Sequence, residues 1–172
     1  MRRLMPWGFG LAFLVVTQTV VGSFVEVYSV KPDFFLISVL ILAMRRGAGS
    51  AVLWGAILGL VQDALSGGVV GFNFLTKPAV GCVIGLLRPK LDFGNPNSQT
   101  LTVLAATLAE GLVLSMLLSA YHPSKEMSWS LSRIFLPEAV YNSLIVPLLI
   151  AAGDALRAWL EKWRRRQASL VE

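Results

Sequence analysis

The segment Gly47 to Gly71 reads G-A-G-S-A-V-L-W-G-A-I-L-G-L-V-Q-D-A-L-S-G-G-V-V-G, and its reading decides the fold. Gly47, Ala51, Gly55 and Gly59 recur every four residues, and the next step of four reaches Asp63. On a helix this is a stripe without bulky side chains that ends in a carboxylate. Its flanks are apolar enough for lipid. Small residues in such a stripe let another helix approach closely. A carboxylate in a membrane helix is costly and needs a reason to be there. A step of four overshoots one turn by about 40°, so the stripe winds as a crossing partner helix requires.

The rest of the chain has the same character. Its 172 residues are 55% hydrophobic and only 15% charged, and the mean hydropathy is +0.67. A soluble domain carries about a quarter charged residues. We therefore expect one integral membrane domain over residues 1–172, an all-α polytopic protein with about six transmembrane helices. The expected spans are Leu4–Val27, Phe34–Met44, Ala48–Leu65, Phe72–Leu87, Gln99–Tyr121 and Pro137–Trp159. Residues 34–44 and 72–87 are short of the roughly 20 residues a crossing needs. Arg2 and Arg3 before an apolar run imitate a signal peptide, but no A-x-A-like site follows and the run continues.

The net charge of +5 resides at span ends rather than on one face of a soluble fold, which argues against nucleic acid. Both termini on the cytoplasmic side place most of the 15 Lys and Arg inside, leaving Lys31, Lys77, Lys125 and Arg133. Trp159 and Trp163 fit an aromatic belt. Lys162 and Arg164 to Arg166 then meet anionic lipid headgroups. The loops are short: Arg45-Arg46-Gly47 inside, Ser66-Gly67-Gly68 outside, and an outer segment from His122 to Leu136.

Several polar residues lie within the spans. Asp63 and Lys77 sit about one turn below the outer surface on consecutive antiparallel spans. Asn73 is near them in depth, and Glu138 and Asn142 share one face of the last span. A buried Asp63–Lys77 ion pair that closes the hairpin accounts for this cluster better than a small-molecule pocket or an ion path. Glu110 has no cation at its depth, so it is expected to be protonated or to meet a polar neighbour or a partner protein. Gln18 reads as a bond to a neighbouring helix. Gly81-x-x-x-Gly85 and Gly8-x-x-x-Ala12 are further close-packing motifs.

Catalytic signatures are missing. There is no H-E-x-x-H, G-x-S-x-G, C-x-x-C or phosphate loop. Cys82 is a single thiol in an apolar run, and His122 stands beside a proline in a loop. No cofactor or metal is expected, and the protein is expected not to be an enzyme.

The order of motifs from Pro32 to Arg88 resembles the MreD family of rod shape-determining membrane proteins. The matching positions are Pro32 and Asp33, Arg46 and Gly47, Gly55 and Gly59, Asp63, Gly67 or Gly68, and Gly71. The resemblance implies a non-enzymatic component of the bacterial elongation complex in the inner membrane. It implies direct association with MreC, and action with MreB filaments, RodA and a class B penicillin-binding protein to place peptidoglycan. The six-span pattern also resembles the substrate-binding component of energy-coupling-factor vitamin transporters. A small-molecule carrier subunit using the outer polar cluster is the alternative. Lys77-Pro78 departs from the apolar run expected there.

Overall fold

In a computed structural model, residues 5–21, 24, 30–67, 70–121 and 134–168 are described. Among them are six α-helices, at the six places expected. They are α1 (Met5–Val16, continued by a π-helical turn over Thr17–Val21), α2 (Phe34–Arg46), α3 (Ala48–Ser66), α4 (Phe72–Leu87), α5 (Pro96–Tyr121) and α6 (Leu136–Ala168). The expected ends hold to within a few residues for α2 to α5, while α6 runs well past Trp159. Arg2, Arg3, Gly68 and the segment from His122 to Arg133 lie outside the described residues, as do the last residues of the first expected span.

Among the described residues three helices are long and apolar enough to cross a membrane: α3, α5 and the Leu136–Trp163 part of α6. Large apolar side chains such as Leu53, Leu75, Leu101 and Leu148 point outward from the bundle, as lipid-facing residues do.

The 13-residue α2 is the most enclosed helix. Phe35, Leu36, Ile37, Val39, Leu40 and Ala43 of α2 are all fully buried, and α3, α4, α5 and α6 pack around them. A helix apolar on every side belongs in a core. At about 20 Å long, α2 falls short of a hydrocarbon layer of about 30 Å. Its ends therefore need partners inside the protein. Asp33 caps the first turn, accepting from the Leu36 N–H at 2.9 Å, and the Phe34 N–H donates to Gln18 Oε1 at 2.7 Å. At the other end the Arg88 Nε–H donates to the Met44 carbonyl at 2.9 Å.

A single residue, Gly47, joins α2 to α3. Its φ of +86° lies in the region that side chains disfavour, so the tight reversal needs glycine there.

The small-residue stripe of α3 is covered by α4. The two helices run antiparallel, and their steps of four pair in order. A Cβ on Gly59 would strike the backbone of Asn73, and one on Gly55 would lie 2.7 Å from Pro78 N. Ala51 faces Gly81, and Gly85 lies against Ala48. The spacing at 73, 77, 81 and 85 thus mirrors that at 47, 51, 55 and 59. Pro78 is inside α4, at the point where Gly55 clears room for it.

This packing separates two kinds of glycine. Gly59→Ala is expected to destabilise the purified protein by about 1–3 kcal/mol or more, because the obstacle is backbone that cannot swing away. Gly153→Ala, with nothing within 4 Å of the added atom, is expected to be neutral. Thermal unfolding in one detergent checks both.

Candidate functional site

Where α2, α3, α4, α5 and α6 meet, a polar network is enclosed by the apolar core. Lys77 is its centre. The side chain is fully buried and comes from α4 at the level where Gly55 admits the backbone. Its Nζ donates to Asp33 Oδ2 at 2.6 Å and to Glu110 Oε1 at 3.1 Å. A buried ammonium is tolerable only when paired and hydrogen-bonded, and Lys77 has both from two helices.

Each carboxylate is held by further bonds. Asp33 Oδ2 also accepts from Gln62 Nε2 of α3 at 3.1 Å, while its Oδ1 caps α2. The Asp33 N–H donates to Asn142 Oδ1 of α6 at 3.1 Å. Glu110 Oε1 accepts from Thr76 Oγ1 at 3.2 Å. Asn142 Nδ2 donates to Thr107 Oγ1 at 3.4 Å. Through Gln18, whose Nε2 donates to the Pro32 carbonyl at 3.4 Å, the turn that follows α1 holds the same α2 entry.

Asp63 has a different task, and the expected Asp63–Lys77 pair does not form. Its carboxylate covers the start of α4. Oδ2 accepts from the Gly71 N–H at 2.8 Å and the Phe74 N–H at 3.0 Å, and Oδ1 from the Asn73 N–H and Nδ2 at 3.1 and 2.9 Å. Free N–H groups at a helix start attract a carboxylate. Gly71, at φ +113°, turns its N–H toward Asp63 in a conformation that glycine adopts readily. Depth matching failed because two residues at one depth can face different ways. Glu110 is likewise corrected: Lys77 reaches it.

The structure therefore divides the expected outer cluster. Asp63 and Asn73 belong together at the α3–α4 turn. Lys77 and Glu110 belong with Asp33, and Asn142 supports Asp33 from α6. Gly47, Ala51, Gly55, Gly59, Gly81 and Gly85 lie along the α3–α4 seam. Pro32 precedes the cap, and Gly67 ends α3 in a left-handed turn. Arg46 stands exposed at the end of α2. Asp33 carries more of the site than its motif role suggested. An Asp directly before an apolar helical run is itself a capping signal, and that signal was present. Thr76 shares the depth of Asn73, while Gln62 and Thr107 had no distinguishing pattern.

Above the network lies a cavity of about 240 Å³, lined by Asp33, Gln62, Asn73, Thr107, Glu110 and Glu138 together with apolar residues of α5. Gly111 makes its wall: a Cβ there would lie 2.6 Å from Phe135 Cβ. Among the described residues no group of His, Cys, Asp and Glu could hold a metal ion.

The network ties together the segments whose order of motifs carries the resemblance, and the wider comparison agrees. The family model for rod shape-determining protein MreD matches residues 1–152.

The chain belongs to the MreD family.

The MreD match extends the motif-based resemblance in both directions, from the first helix into the last, and includes Lys31 to Asp33, Lys77, Glu110 and Asn142. Comparison with curated proteins and with solved structures returns no significant match. Membership together with the apolar helices marks a membrane protein connected with rod shape.

Removing Lys77 leaves two buried carboxylates facing each other. Lys77→Met is expected to cost about 3–5 kcal/mol. The triple variant Lys77→Met, Asp33→Asn, Glu110→Gln removes all three charges and is expected to recover much of that loss, since Asn still caps a helix. Unfolding midpoints of the two variants, measured against the native protein, test the charge balance.

Proposed function

We propose that this protein is a non-enzymatic scaffold of the bacterial cell-elongation machinery. It sits in the cytoplasmic membrane as a multi-pass protein of six crossing helices with both termini inside. It binds MreC directly and works alongside MreB, RodA and a class B penicillin-binding protein to place new peptidoglycan along the cell. Its basic C-terminal tail rests on anionic lipid. The observation that carries this reading is the family match over residues 1–152. A body tied at its centre by Lys77 suits a scaffold, which must hold a shape against its partners.

A stripe of small residues such as that of α3 can seat a helix of the same chain or of a partner. With Gly55 and Gly59 of α3 covered by α4, and Gly81 and Gly85 of α4 packed back against Ala51 and Ala48, docking of MreC falls to the outward faces of the bundle. α1 is one such face, where Phe13 and Val16 are exposed.

A second reading has one observation in its favour, the cavity of about 240 Å³ beside Asp33, Glu110 and Glu138. A vitamin-type carrier subunit would use such a chamber. It would bind a small molecule there, and thermal stability would rise with that ligand's concentration.

Affinity purification of the tagged protein from native membranes is expected to recover MreC as a single-span companion. Gly55→Leu is expected to lower the folded yield and the MreC recovery together. A Gly55→Leu protein that folds normally yet loses MreC would return the stripe to the partner. Recovery of the folded native protein without MreC would refute direct binding.

A further inference from the structure

At the opposite end of the bundle from the polar cavity, a cleft of about 430 Å³ is lined by Ser38, Ile41, Leu42, Arg45 and Arg46 of α2 and by Arg157 of α6. Three guanidinium groups on two helices face one small space. Arg45 is committed: its Nη2 donates to Asp154 Oδ1 at 2.7 Å and to the Ile150 carbonyl at 3.4 Å. Arg46 and Arg157 are exposed and have no partner among the described residues. The positive charge left over in the cleft therefore belongs to these two.

The cleft has a direction. Its charges lie at the rim, at the C-terminal end of α2. Ile41 and Leu42 lie one turn deeper. The hydroxyl of Ser38 is already used, donating to the Phe34 carbonyl at 2.8 Å, so the floor has no free polar group. Arg157 comes roughly 30 Å along α6 from Leu136, about the thickness of the hydrocarbon layer. A group at that height meets lipid headgroups. Charge bias places this end of the bundle in the cytoplasmic leaflet. Guanidinium pairs match phosphate oxygens in bidentate fashion, and basic pockets between membrane helices at this height take anionic headgroups.

We infer that the α2–α6 cleft is a binding site for one anionic phospholipid, its phosphate between Arg46 and Arg157 and an acyl chain along Ile41 and Leu42. A soluble anion would use the rim and leave the apolar floor empty. An acidic peptide would likewise gain nothing from the floor. The site is separate from the basic tail after Trp163, and it does not depend on the scaffold reading.

Native mass spectrometry of the full-length protein released from nanodiscs tests this, with phosphatidylglycerol and phosphatidylcholine of identical chains as probes. The native protein is expected to retain phosphatidylglycerol preferentially. Arg46→Gln with Arg157→Gln is expected to lower that retention about twentyfold or more. Lys90→Gln, in the turn after α4 and outside the cleft, is expected to leave it unchanged. With both arginines intact, Leu42→Cys carrying a photoreactive group, in a Cys82→Ser background, is expected to crosslink phosphatidylglycerol over phosphatidylcholine. Equal retention of the two lipids, or an equal loss with Lys90→Gln, would overturn the site. So would displacement of the lipid by soluble glycerophosphoglycerol or an acidic peptide at matched concentration.

Discussion

A fully buried lysine ammonium must find its counter-charge within the protein, and Lys77 finds it from two directions. Asp33 comes from the start of α2 and Glu110 from the middle of α5. Because Asp33 is also the cap of α2, the ion pair and the helix start are one construction. Gln62 holds the same carboxylate from α3, and Asn142 holds its backbone from α6. Five helices thus converge on one charge, with Gln18 adding the turn after α1. In lipid there is little hydrophobic force between helices, so polar contacts of this kind have a large share in fixing their arrangement.

The ladder of small residues makes that convergence possible. Gly55 and Gly59 bring α4 so near α3 that backbone meets backbone at Lys77, Pro78 and Asn73. Asp63, one step further along the same stripe, then reaches the free N–H groups of α4. A single period of four on α3 therefore sets the separation, the register and the cap of the next helix. The short α2 fits in the space behind, buried over most of its surface and partnered at both ends.

The helices, their order and the close-packed stripe were legible because each is a local signal. Apolar runs mark spans, and a period of four marks one helix face. The partner of the stripe was not, since any helix can meet a smooth face; only α4's matching period at 73, 77, 81 and 85 hinted at it. The charge network was half legible. Depth along a helix follows from residue counting, and it matched Asp63 with Asn73, which do bond. Direction around the axis decides bonding, and there counting misleads: Asp63 turns to backbone donors of α4, and Lys77 turns to the core. Lysine's long side chain also reaches across helices, which is how Glu110 acquired a cation that its own depth did not suggest. Asp33 was read only as a family motif, although an Asp before an apolar helical run is also a capping signal, and its charge was not counted with the others because it lies outside the spans.

The central claim is that Lys77 pairs with Asp33 and Glu110 while Asp63 serves the start of α4. Solid-state NMR on the protein in lipid bilayers, with labelled Lys side-chain nitrogen and Asp and Glu carboxyl carbons, measures this directly. The account requires Lys77 Nζ to lie within about 4 Å of the Asp33 and Glu110 carboxylates, with those couplings lost in Asp33→Asn and Glu110→Gln respectively. A nitrogen–carboxyl coupling from Lys77 that persists in both variants and vanishes in Asp63→Asn would contradict it.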